Sequence, residues 1–250
     1  MRIPLSLVLM AAAVEMVHSA SIASGGLLNS ESAVPFLVDT NSAPSARYQE
    51  VYGASIFSGH GSPQYLITQI SFTSGLDSGA IDVVLPNVQI WFSTTPRAVD
   101  SLSPVFGDNL GPNNTLVYSG QLHLFWQPPI GGSTFHIPLQ RPFLYDWSAG
   151  NLLMDVRNYQ TVPPRPDLQG RFFASSVTLG DRVSSAAAFD VNALTATFLN
   201  TEGLLTLFTV SGVPEPSSAL LFLAGLSALV LLTSCRRGRA QNRPRAAGTQ

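Results

Sequence analysis

The sequence predicts an all-β fold, two antiparallel sheets packed as a β-sandwich or jelly roll, flanked by an N-terminal signal peptide and one C-terminal transmembrane helix. Three observations carry that expectation. From Arg47 onward, runs rich in β-branched and aromatic residues recur between clusters of Gly, Pro, Asn, Asp and Ser, the pattern of strands and turns. Several runs alternate apolar and polar residues at period two, so each leaves one face that a second layer must cover. No segment of the body keeps a convincing 3.6-residue period, so little helix is expected.

The elements follow in chain order. Met1-Arg2 supplies a short positive start, residues 3–14 an apolar stretch, and Ser19, Ala20, Ser21 and Ala23 a small-residue tail. This is the build of a secretory signal peptide over residues 1–23, with Ala20 and Ala23 as alternative signal-peptidase sites. Residues 24–46, rich in Ser, Gly, Asn and Pro with a short apolar piece at 34–38, read as a flexible leader, a loose arm or one leader strand. The body, residues 47–212, offers candidate strands at 48–57, 65–73, 81–85, 88–94, 115–126, 133–139, 152–159, 171–178, 193–200 and 204–210.

Period-two alternation assigns faces within these strands. Val88, Ile90 and Phe92 fall on one side, with Gln89, Trp91 and Ser93 on the other. Leu116, Tyr118, Leu122, Leu124 and Trp126 share a parity. Leu152, Met154 and Val156 alternate with Leu153, Asp155 and Arg157, and Leu194, Ala196 and Phe198 with Thr195 and Thr197. One helical turn is expected within 180–190, around Ala186-Ala187-Ala188.

Charge and cysteine usage narrow the function classes. The chain of 250 residues has 15 acidic and 13 basic residues, the latter all arginine, and residues 24–213 alone carry about −6. A mildly acidic, lysine-free body has no electrostatic footprint for nucleic acid. The single cysteine, Cys235, lies beyond the body, which therefore has neither a disulfide nor a thiol nucleophile.

Signals for chemistry are sparse. His60, His123 and His136 lack metal-ligand spacing, and the two that fall in predicted strands sit at outward parity. No Gly-x-Ser-x-Gly elbow or phosphate-binding glycine loop occurs, so no catalytic, cofactor or metal residues are assigned. The oxygen-rich loop 106–114 lacks the Asp-x-Asp-x-Asp-Gly pattern of a Ca²⁺ loop and reads as a solvated turn. Trp91, Trp126 and Trp147 suit either core packing or stacking on sugar rings, which leaves a carbohydrate-binding module as an alternative to a purely structural body. A secreted glycoside hydrolase would need two carboxylates to converge in space, and nothing in the sequence selects two of them.

The C-terminus is the most specific stretch. Val213-Pro214-Glu215-Pro216 leads into an uncharged apolar run, and residues 217–234 are long enough for a transmembrane helix. The tail 235–250 brings five arginines, of which Arg236, Arg237 and Arg239 stand at the membrane edge as a cytoplasmic stop-transfer signal. Each proline disfavours helix in the residue before it, so Val213 and Glu215 are expected to be extended.

This order over about the last 35 residues resembles the PEP-CTERM sorting signal of Gram-negative bacteria. The resemblance implies a substrate of exosortase, the membrane transpeptidase that processes such signals, delivered by the Sec translocon and signal peptidase. It implies a transient inner-membrane anchor, then the cell surface or an extracellular matrix associated with exopolysaccharide and biofilm. The phrase at 142–156, with Phe143, Tyr145, then Gly150-Asn151-Leu152-Leu153 and Asp155-Val156, is also similar to one in the β-sandwich bodies of secreted bacterial proteins, PEP-CTERM proteins among them. On residues alone, Phe143 and Tyr145 close one strand, Gly150-Asn151 suits a turn with positive φ, and Leu152 opens the next strand.

Overall fold

A computed structural model describes residues 19–24, 28–32, 34–36, 45–59, 63–75, 80–126, 133–159, 171–175 and 179–213. These hold strands β1 (Ser19–Ala23), β2 (Leu28–Ser32), β3 (Ala46–Tyr52), β4 (Gln64–Thr73), β5 (Ile81–Thr95) and β6 (Thr115–Trp126). They continue with β7 (Thr134–Asp146), β8 (Asn151–Asn158), β9 (Phe172–Ser175), β10 (Val183–Ala188), β11 (Phe198–Asn200) and β12 (Thr206–Gly212). One sheet has the order β1-β12-β4-β7, a second β11-β10-β3-β8-β5-β6, and β2 pairs with β9 as a ribbon. Every strand pairing is antiparallel. The only helical pieces among the described residues are 3₁₀ turns at Ala54–Ile56 and Phe106–Asn109.

The expected alternation places the core. Val88, Ile90 and Phe92 of β5 and Leu152, Met154 and Val156 of β8 are all buried in one cluster with β4, β7 and β12 of the other sheet. Phe92 meets Phe143 edge-on at 5.6 Å between ring centres, and Tyr52 meets Phe208 at 4.8 Å, so the two sheets face each other as layers of a sandwich. Such aromatic pairs add about 0.5–1.5 kcal/mol each beyond the area they bury. A second aromatic group closes the end under the ribbon, where Phe172 packs on Phe36, Phe72 and Trp126.

The centre of the six-stranded sheet is buried on both faces. Its outer face carries Val51, Leu153, Ala186 and Ala188, covered by Leu102 and Phe106 from the segment after β5. Polar residues tie that cover down: Arg47 bonds Asp155 at 2.8 Å, and Gln49 Nε2 donates to Asp155 and to the Phe106 carbonyl, both at 3.1 Å. Asn109 completes the set by donating to Gln49 Oε1 at 2.9 Å. Arg47, Gln49, Asp155 and Asn109 are thus all partnered, which is what makes their burial tolerable.

The β7–β8 connection, carrying the phrase at 142–156, crosses from one sheet to the other. Tyr145 Oη donates to the Gly150 carbonyl at 2.8 Å, and Gly150 has φ 148°. A Cβ on Gly150 would sit 2.7 Å from Thr95 O, so both conformation and space require glycine. Asn151 then accepts from the Ala54 N–H at 2.8 Å and donates to the Arg97 carbonyl at 2.7 Å, pinning two further segments to the corner.

Several expectations are corrected. The helical turn expected within 180–190 is strand β10, and all six of its residues are buried. Its alanines fit because layers press on both faces, where larger side chains would not. Of 193–200 only β11 is strand, and Leu194 is exposed. Asp190 turns the chain there, and Ala196 and Phe106 bond across the turn to Pro104 O and Leu194 O. The runs 81–85 and 88–94 form one strand, with a register shift between Leu85 and Val88. A second shift, between Ile90 and Trp91, accompanies the burial of Val117 rather than Leu116.

The N-terminal boundary also moves. Ser19–Ala23, expected within a signal peptide, pairs along β12, and Ile22 is 2% exposed in the main core. Of the expected leader, Leu28–Ser32 pairs with β9 and Phe36 is fully buried. The body therefore starts well before residue 47. Without β1, the edge of β12 and the pocket around Ile22 would be open to water.

Candidate functional site

The expected sorting motif begins where the described residues stop. β12 ends at Gly212 and Val213 is half-buried, while Pro214, Glu215 and Pro216, the span 217–234 and Arg236, Arg237 and Arg239 lie outside the described residues. Residues 1–18 lie outside them as well. Among the described residues, no helix is long and apolar enough to cross a membrane. At the other end of the body Ala20 and Ala23 are exposed on β1, and Ser19 pairs with Ser211. The chain thus enters and leaves the body on neighbouring strands, at the same end of one sheet.

The tryptophans do not form a platform. Trp126, expected near a strand end, is 3% exposed because its ring packs on Phe172. The Arg157 guanidinium lies 5.6 Å over the Trp91 ring, and Trp147 is half-buried against the core. The histidines behave as surface imidazoles: His123 bonds Asp82 at 2.7 Å, and His136 Nδ1 lies 2.8 Å from Ser71 Oγ, its cross-strand neighbour. His60 lies outside the described residues. Among the described residues, no three His, Cys, Asp or Glu side chains converge as metal ligands. In the loop 106–114, Asn109 is spent on Gln49 and Ser103, Asp108 accepts from Ser103 Oγ, and Asn113 bonds Thr94. Those oxygens serve the turn.

A different group of side chains forms the best-defined site. A cavity of about 190 Å³ opens between one face of the paired strands β10 and β11, at the edge of the six-stranded sheet, and the β2–β9 ribbon. Tyr48 and Ser185, each 4% exposed, form its inner lining. Phe189 and Phe198, 42% and 45% exposed, stand at its outer side with rings edge-on at 5.4 Å. Asn200 and Glu202 add an amide and a carboxylate, and Glu202 accepts from Ser30 Oγ at 3.3 Å.

Behind this lining lies a buried carboxyl. Glu50 has no exposed surface, and Tyr48 Oη donates to its Oε2 at 2.9 Å. Burial pushes the Glu50 carboxyl up to about 8, Asp181 adds to the rise, and the polar groups of Tyr48, Leu204 and Tyr52 limit it. The group is therefore protonated at neutral pH. Gly203 lines the cavity and abuts Glu50 so closely that a Cβ there would overlap Oε1. Burial likewise raises Tyr48 and Tyr52, and the latter shares a hydrogen bond of 2.9 Å with Thr206 Oγ1. Glu50 cannot touch a substrate, so it sets the shape and polarity of the wall rather than doing chemistry.

Sequence reasoning passed over this site. The readable signal was the shared inward parity of Tyr48, Glu50 and Tyr52, an acid on a core face. Phe189 and Phe198 come together only through the turn after β10. In comparisons with known proteins, no family model and no curated protein matches the chain.

Proposed function

We propose that the chain is an exported, non-enzymatic surface or extracellular-matrix protein, a PEP-CTERM substrate of an exosortase, whose sandwich-like body is delivered through the inner membrane. The observation that carries the proposal is the C-terminal order of Pro214-Glu215-Pro216, apolar run and arginine cluster. In this reading, residues 217–234 hold the motif at the outer face of the bilayer while Arg236, Arg237 and Arg239 stop translocation. The prolines keep the backbone extended for the protease, which supplies the catalytic residues. Exopolysaccharide is the matrix partner.

The body's geometry supports this. The pairing of Ser19 with Ser211 puts the first and last strands of the body side by side with their outer ends together, which suits delivery through one membrane. The structure also favours one processing site at the N-terminus. Signal-peptidase cleavage after Ala20 leaves Ile22 in the core, and it keeps Ser24, whose Oγ accepts from the Thr206 N–H at 2.9 Å. Cleavage after Ala23 would remove the buried Ile22.

Replacing Pro214, Glu215 and Pro216 with alanine should leave the body folded and block removal of the tail. The check is an immunoblot of membrane and surface fractions from an exosortase-bearing host. Maturation of the variant at the parent's rate would contradict the proposal.

A further inference from the structure

We infer that the cavity between β10, β11 and the β2–β9 ribbon binds one neutral pyranose ring, stacked on Phe198 and held by Asn200 and Glu202. The site is independent of how the protein is delivered. At about 190 Å³ it lies below the ~300–1000 Å³ of sites for drug-sized ligands, which suits a single ring.

Lining chemistry selects the class. Phe189 and Phe198 leave much of their surface in water, although large apolar side chains at a strand edge gain by being covered. A sugar offers an apolar C–H face to such rings and hydroxyls at its rim. The rim needs donors as well as acceptors: the Asn200 amide supplies both, and Glu202 accepts. Among the described residues no basic side chain lines the cavity, which argues against phosphate and acidic sugars. A bare cation needs acceptors alone and would leave the Asn200 donors unmatched. Neutral Glu50 completes the picture, because its proton removes a second negative charge from behind the wall.

The test is saturation-transfer NMR on the full chain in detergent micelles, with methyl β-glucopyranoside, methyl β-galactopyranoside and N-acetylglucosamine as separate probes. Transfer to the ring protons of at least one sugar is expected. Phe198→Ala should abolish it, and Glu202→Gln should weaken binding about tenfold, the loss of one charged hydrogen bond. Both side chains are partly exposed, so thermal midpoints near the parent's verify that the variants stay folded. Transfer to none of the three sugars would overturn the inference. So would undiminished transfer in folded Phe198→Ala, or transfer seen with tetramethylammonium alone.

Discussion

Glu50 stands between Tyr48 and Tyr52 on the inward side of β3, a carboxyl kept neutral by its surroundings. Its folded value of about 8 lies above the ordinary 4.5, so the folded chain keeps a proton that the unfolded chain releases. The group's contribution to stability is thus fully present below about pH 4.5 and is lost as pH rises to about 8. Glu50→Gln carries no such proton, so the variant should gain on the parent as pH rises. Urea midpoints at about pH 5 and about pH 9 measure this, and an equal difference at both would contradict the assignment. The sequence displayed the parity that buries Glu50, but parity alone does not distinguish a buried acid from a strand whose other face is inside. Gly203 is similar: only the fold shows that a side chain there would collide with Glu50.

Strands with one wet face were legible because their period survives translation into sequence. β5 and β8 carry the buried residues that alternation assigns them, and β6 begins and ends where its composition says. β10 escaped because burial on both faces erases the period, and three alanines then look helical. β11 is short because the turn at Asp190 and its bonds to the 104–106 segment occupy residues that alternate like a strand. β1 was hidden by its own composition, since Ser-Ala-Ser-Ile-Ala satisfies the small-residue rule for signal cleavage equally well. Its place in the body is testable. Ile22→Ala removes a side chain that is 2% exposed and should cost about 2–5 kcal/mol, seen as a lower unfolding midpoint. An unchanged midpoint would mean that β1 adds nothing to the fold.

At the scale of the molecule, two antiparallel sheets enclose an aromatic core and a small cavity opens at a sheet edge, while the entry and exit strands lie side by side. The sequence revealed the all-β architecture, because strands and turns are written in local patterns. It did not reveal the cavity, whose walls come from β3, β10, β11 and the ribbon and meet only in three dimensions. The central claim is that this body is released from a processed C-terminal signal. The most direct measurement is the intact mass of the mature protein from the surface fraction of its native host. The account predicts a chain that starts at Ser21 and ends near Pro214–Pro216, with any added mass reporting what the cleaved end is joined to. A chain that still carries residues 220–250 would contradict it and make the protein a resident of the inner membrane.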